Sequence, residues 1–301
     1  MILRIFFCVV ISLITVGCSS IDIPVENTTS QSSKFSQYAY IGALHNELLE
    51  NSNKNFVGVE RDSMSKEEKM DRVVDFNVGY VLSEDFGCEN ENTIDKEELV
   101  KHLKFYRNLV DPDKNIRYNK YDHRVLLKRS ESELISKPVL NDTVMSVQDI
   151  NCVQDYIIAL KTQEIISEEG YFILDKLLFL MNQSEYGLIS DYTLRIEIEN
   201  LITMLDKIED KETLDCVGPI LSIAYYSLEW WGANPDASLP NSKVAPWVMA
   251  DAAGAIEGAV GYALTNDQCN WRDAALSTLA GAALSSISLG TRVLKFMKNL
   301  F

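Results

Sequence analysis

The sequence predicts an all-α fold: a multi-helix globular body with a C-terminal small-residue helical hairpin. Three observations predict it. Apolar residues recur at helical spacing through most of the chain, and capping pairs precede several of those stretches. The 301 residues hold only 14 Gly and 7 Pro, too few for an all-β protein built of many tight turns. A hydrophobic content of 47% with 24% charged residues provides a sizeable core and excludes a disordered chain.

Residues 37–232 read as the helical body. From Tyr38 to Ser52, Ile41, Leu44, His45 and Leu48 follow the i, i+3, i+4, i+7 pattern of one helix face. Ser65 and Glu68 form a capping box ahead of the stripe Met70, Val73, Val74, Asn77 and Val81. Asp95 with Glu98 opens a third helix carrying Leu99, His102, Leu103 and Tyr106, which Pro112 closes. A weaker helix runs from Tyr121 to Ile135, ahead of Pro138. Ser146 with Asp149 caps a long one that continues to Ile165. Gly170 is expected to divide it from Phe172 to Met181, a stretch apolar nearly all round and so expected at the centre. Asp191 to Glu209 and Thr213 to Trp231 follow, with Pro219 near the start of the latter, where a proline costs least.

The composition changes after residue 232. Gly232, Pro235, Pro240 and Pro246 mark a linker over 233–246. Residues 247–301 are rich in Ala, Gly and Ser. Ala250, Gly254 and Gly258 lie four apart in a first helix, and Ala274, Thr278, Ala282 and Ser286 repeat that spacing in a second. Small residues at every fourth position let two helix backbones approach closely, in lipid or in a tight hairpin. Asp251 and Glu257 would be costly at mid-bilayer, which favours a hairpin packed on the body. The basic, amphipathic end from Arg292 to Lys298 would dock on the acidic body or lie on lipid headgroups.

The beginning of the chain reads as an address. Arg4 precedes an apolar run from Ile5 to Val16, too short to span a bilayer but suited to a signal-peptide core over 1–17. The run ends in Thr15-Val16-Gly17-Cys18-Ser19-Ser20, which resembles the lipobox of bacterial lipoproteins, with Thr15 where that group favours Leu. The resemblance implies cleavage before Cys18 and its modification by diacylglycerol and N-acyl (palmitate-type) groups. Ser19 after the cysteine implies, by analogy, an outer-membrane destination in the cell envelope. Ordinary signal cleavage, with Cys18 a spare thiol, is the alternative. Residues 18–36 then form a Ser-rich tether with no apolar periodicity.

Cys88, Cys152, Cys216 and Cys269 remain beyond the signal and anchor, an even number compatible with two disulfides in an oxidising compartment. Three connectivities are open; neighbour pairing, Cys88–Cys152 and Cys216–Cys269, is the working expectation against buried thiols. A net charge of -16 argues against nucleic acid as a partner. No nucleotide-binding loop, zinc-protease helix or nucleophile elbow occurs, and no cofactor or metal is expected. Two acidic stretches, 87–98 and 111–122, approximate calcium loops, but Gly87 occupies the first liganding position of one, and Asn92 and Ile116 replace the turn glycines. Helix caps and a polar loop account for both. Of the three histidines, His45 shares its face with apolar residues; it is expected as a hydrogen-bonded core side chain and is the one weak catalytic candidate.

Gly42-x-x-His45-Asn46-x-x-Leu49, together with Ala250-Asp251-Ala252-Ala253-Gly254-Ala255, resembles a loose group of uncharacterised bacterial lipoproteins that open with such a helix and finish in an Ala/Gly-rich, bacteriocin-like segment. The resemblance lends weight to His45 and Asn46 as a pair that fixes the first helix on the body, and it implies no activity. Three expectations follow for function. The first is a non-catalytic envelope lipoprotein that binds or scaffolds a protein partner. The second is a membrane-active protein acting through the hairpin, in a bacteriocin-like or pore-forming manner. The third is a hydrolase-type enzyme using His45 with carboxylates from other helices.

Overall fold

The computed structural model describes residues 33–56, 64–87, 94–109, 153–234, 244–265 and 270–287; every regular element among these residues is helical, with no strand. A short 3-10 turn, Lys34–Tyr38, leads into α1 (Ala39–Phe56), α2 (Lys66–Val81) and α3 (Lys96–Leu109). Then come α4 (Val153–Thr162), α5 (Glu168–Glu185), α6 (Asp191–Leu205), α7 (Lys211–Ala233), α8 (Ala245–Thr265) and α9 (Trp271–Ile287).

Local chemistry sets the helix ends. Ser65 and Glu68 close a reciprocal capping box on α2. The Asp95 carboxylate accepts the amides of Glu97 and Glu98 at 3.0 Å each, so the third helix opens where its acidic pair predicts. Beyond α4, Glu164 adopts φ 58°; the Glu164 amide donates to the Lys161 carbonyl and the Ile165 amide to that of Leu160. That is a Schellman stop, and it ends α4 ahead of the expected Ile165. Gly170 is therefore not the divider. It lies in the first turn of α5, behind the Ser167 cap, where any Cβ would run into Thr213 of α7.

The core is built from the inside out around the last two helices. Pairing with each other more extensively than any other two, α8 and α9 form an antiparallel hairpin. Outside that pair, α8 packs against α4, α5 and α7, while α9 packs against α1, α2, α3 and α7. The expectation that 172–181 would be central is overturned: Phe172 and Phe179 of α5 are more than half exposed, at 52% and 53%. The Ala/Gly-rich hairpin holds the centre instead. Small side chains allow its two backbones to come together, and the larger apolar residues of the surrounding helices fill the space outside.

The seam of the hairpin is where close packing is most demanding. A Cβ at Gly254 would fall under 3.0 Å from the Gly281 carbonyl and Ser285, and one at Gly258 would do the same against the Ser277 carbonyl. Gly281 meets the backbone of Gly254 in return. The four-residue spacing in α8 is as expected, but the facing stripe in α9 is Ser277, Gly281 and Ser285, not Ala274, Thr278, Ala282 and Ser286. Small residues lie on every face of α9, so spacing alone does not select the one that meets α8.

The described residues include Ser33 to Ser36, which lie inside the stretch expected to be tether. The Ser33 hydroxyl contacts both carboxylate oxygens of Asp206, at 2.9 and 2.8 Å, and Lys34 donates to the Ile208 carbonyl. Tyr38 is buried and donates to Asp215 at 2.8 Å. Burial, reinforced by the Asp215 carboxylate, pushes the Tyr38 phenol far above its ordinary value. The signal, the lipobox cysteine Cys18, the Tyr121–Ile135 helix, the Ser146 cap, most of the linker, the hairpin turn and the basic end lie outside the described residues.

Candidate functional site

The two short motifs of the resemblance meet in the core. Each residue of the first motif touches a different neighbour. Gly42 leaves room for α7: a Cβ there would collide with the Ser222 carbonyl, and the Gly42 amide donates to the Ser222 hydroxyl at 3.0 Å. One turn on, the Asn46 side-chain amide donates to the Tyr226 carbonyl at 2.9 Å. Leu49 enters the apolar core at 1% exposure. His45 turns towards α8 and meets the second motif at Asp251.

His45 and Asp251 are both wholly buried, with Nε2 and Oδ1 3.6 Å apart. That is within ion-pair range though longer than a hydrogen bond, and neither atom has a hydrogen-bond partner. The other carboxylate oxygen, Oδ2, accepts from the Ser227 hydroxyl and from the Trp231 indole N–H at 2.9 Å. Trp231 stacks on Trp247 of α8 with ring centroids 4.7 Å apart, and Trp230 meets Trp231 edge-on. The cluster thus joins α1, α7 and α8.

Donor and acceptor roles follow from this geometry. The Asn46 amide nitrogen is committed to a carbonyl, which leaves Asn46 Oδ1 facing His45 Nδ1 at 3.3 Å. The other ring nitrogen faces the Asp251 carboxylate. Oxygen atoms therefore flank both ring nitrogens, the Asn46 oxygen within hydrogen-bond distance and the Asp251 oxygen beyond it.

The second acid of the hairpin is held in the same way. Tyr106 of α3, 1% exposed, donates to Glu257 and lies 3.1 Å from the Ser285 hydroxyl of α9. Asp251 and Glu257, which would oppose membrane entry, are thus both tied to side chains of the enclosing helices. A Ser–His–Asp set is present in composition, but its geometry is not that of an activated nucleophile. Ser227 donates to Asp251 rather than to His45, and all three side chains are sealed from solvent.

The remaining expected residues are placed as follows. Gly254 and Gly258 lie in the hairpin seam. Cys216 is buried on α7, whereas Cys88, Cys152 and Cys269 lie outside the described residues, as does any pairing among them. Among the described residues no group of His, Cys, Asp or Glu is arranged to hold a metal ion, and Asp95 serves as a helix cap. His102 is half-buried against Tyr262. Sequence reading missed Ser227 and Trp231, ordinary residues of an apolar helix. The signal that pointed there was Asp251 itself, one of two acids in a small-residue stretch. No known protein family, curated protein or solved structure matches this chain.

Proposed function

We propose that the protein is a lipid-anchored component of a bacterial envelope that binds or scaffolds a protein partner and has no active site. One observation carries this reading: the residues with the most chemical potential, His45 and Asp251, join three helices in a sealed core and offer a substrate no approach. Such a cluster links three helices of the body, as suits a platform. The lipid anchor at Cys18 rests on the lipobox resemblance and gives the platform its location. Two measurements test the reading. Radiolabelled palmitate should enter the wild-type chain and not C18S, and cross-linking in intact envelopes should trap a protein partner. Label-free wild-type chain, or an envelope chain with no neighbour, overturns it.

A second reading draws on the central, nearly uncharged hairpin, which other helices sheathe on both sides. In a membrane-active protein, α8 and α9 would leave the shell and insert. No helix among the described residues is long and apolar enough to cross a membrane, and insertion would release Asp251 and Glu257 from their partners. Dye-loaded vesicles decide between the two: the full chain at micromolar concentration should cause no leakage, and leakage would establish the second reading.

A further inference from the structure

Six of the eight large apolar side chains that the described residues leave exposed fall within α5, α6 and their connection. Phe172, Phe179 and Tyr186 stand seven residues apart, and Tyr186 keeps right-handed helical geometry as the C-cap of α5. A spacing of seven is close to two helical turns, so the three rings form one line along a single outward face. They are 52%, 53% and 51% exposed. Lys176 lies between the first two rings, its ammonium 5.6 Å from the centre of the Phe179 ring. Leu188 in the connection and Tyr192 on α6 are more exposed still, at 66% and 74%, and Ile196 follows one turn later. Apolar residues scattered singly need no explanation; this concentration on one helical pair does.

We infer that this aromatic ridge rests on the headgroup–acyl boundary of the bilayer that holds the anchor, a proposal that depends on the lipoprotein reading above. The place where the tether reaches the body supports a lipid occupant. Ser33 and Lys34 are fastened to Asp206 and Ile208, at the C-terminal end of α6. The same helix carries Tyr192 and Ile196 at its other end. α6 is about 22 Å long at 1.5 Å per residue, while the tether from Cys18 to Ser33 reaches roughly 50 Å when extended. A chain anchored at Cys18 therefore has its ridge within reach of the membrane. The chemistry agrees: tyrosine presents an apolar ring and a polar tip, and lysine snorkels from between phenylalanines. A net charge of -16 gives no attraction to anionic lipid, so the ridge acts through apolar contact with zwitterionic lipid. The anchor supplies the effective concentration that so small a surface lacks alone.

The experiment uses the full acylated chain reconstituted into vesicles of phosphatidylcholine and phosphatidylethanolamine with brominated acyl chains. Separate variants F179W, Y192W and L82W each add one tryptophan to the native four; Leu82 is exposed beyond the end of α2, away from the ridge sequence. All three positions are exposed, so the substitutions leave the fold intact. Brominated lipid should remove most of the added emission of F179W and Y192W and none of that of L82W. Vesicle flotation without quenching of F179W overturns the proposal and leaves the anchor standing. Blue-shifted but unquenched emission overturns it too, since the ridge is then covered by protein, whether a second copy, a partner or another part of the chain. Equal quenching at all three positions overturns it as well, because contact would not be specific to the ridge. Failure to float defeats the anchor reading, and this proposal with it.

Discussion

His45 Nε2 and Asp251 Oδ1 face each other across 3.6 Å in a part of the core that solvent does not reach. One belongs to the first helix of the body and the other to the central hairpin, so their contact ties the two ends of the described chain together. Removing either side chain leaves buried polar groups around it without their neighbour, a loss of about 1–3 kcal/mol. D251A and H45A are each expected to lower unfolding free energy by that order in urea titrations. The double variant should lose clearly less than the sum, since a double cycle isolates the coupling of residues in contact. Strict additivity would mean that the two side chains act independently.

Two glycines should respond in opposite directions to the same substitution. Gly79, on α2, has nothing within 4 Å of the position a Cβ would take, so G79A should stabilise by about 0.5–1 kcal/mol through helix propensity and backbone entropy. Gly258 faces the Ser277 carbonyl, and G258A should destabilise by about 1–3 kcal/mol, the usual cost of overpacking. Thermal or urea unfolding of both variants tests whether the hairpin seam is as close as described.

Acid sensitivity should arise in part at His102. Burial beside Tyr262 lowers its pKa from the ordinary 6.5, and the carboxylates of Asp273 and Glu98 offset part of that effect. As pH falls, the unfolded chain takes up the proton before the folded one. The contribution is therefore full above 6.5 and is lost as pH falls from there towards the folded value. H102Q should lose less stability than wild type between about pH 7 and about pH 5. A parallel pH profile for the two would remove His102 from the acid response.

Much of the architecture was legible in the sequence because it depends on local rules. The Ser65–Glu68 box and the Asp95 cap act over three residues, so they place helix starts without any knowledge of the fold. What the sequence hides is which face meets which neighbour. Phe172 to Met181 is apolar enough to suit a centre, yet Phe179 faces outward, because the small-residue hairpin fits the middle better than bulky rings do. The phase of the α9 seam was hidden for the opposite reason, since small residues surround that helix and periodicity carries no direction. His45 stood out as an imidazole on an apolar stripe. Its contact with Asp251 was beyond reach, because only tertiary structure brings positions so far apart in the chain together.

The placement of α8 and α9 at the centre has a consequence for biosynthesis. The helices that occupy the middle are translated after those that wrap them, so α1 to α7 leave the ribosome with their inner surfaces lacking a filler. Closure must await residues 245–287, and the α1–α7 and α1–α9 contacts then join positions far apart in the chain, a topology that folds slowly. A nascent chain stopped ahead of Ala245 should stay open and sensitive to protease until the last two helices are supplied.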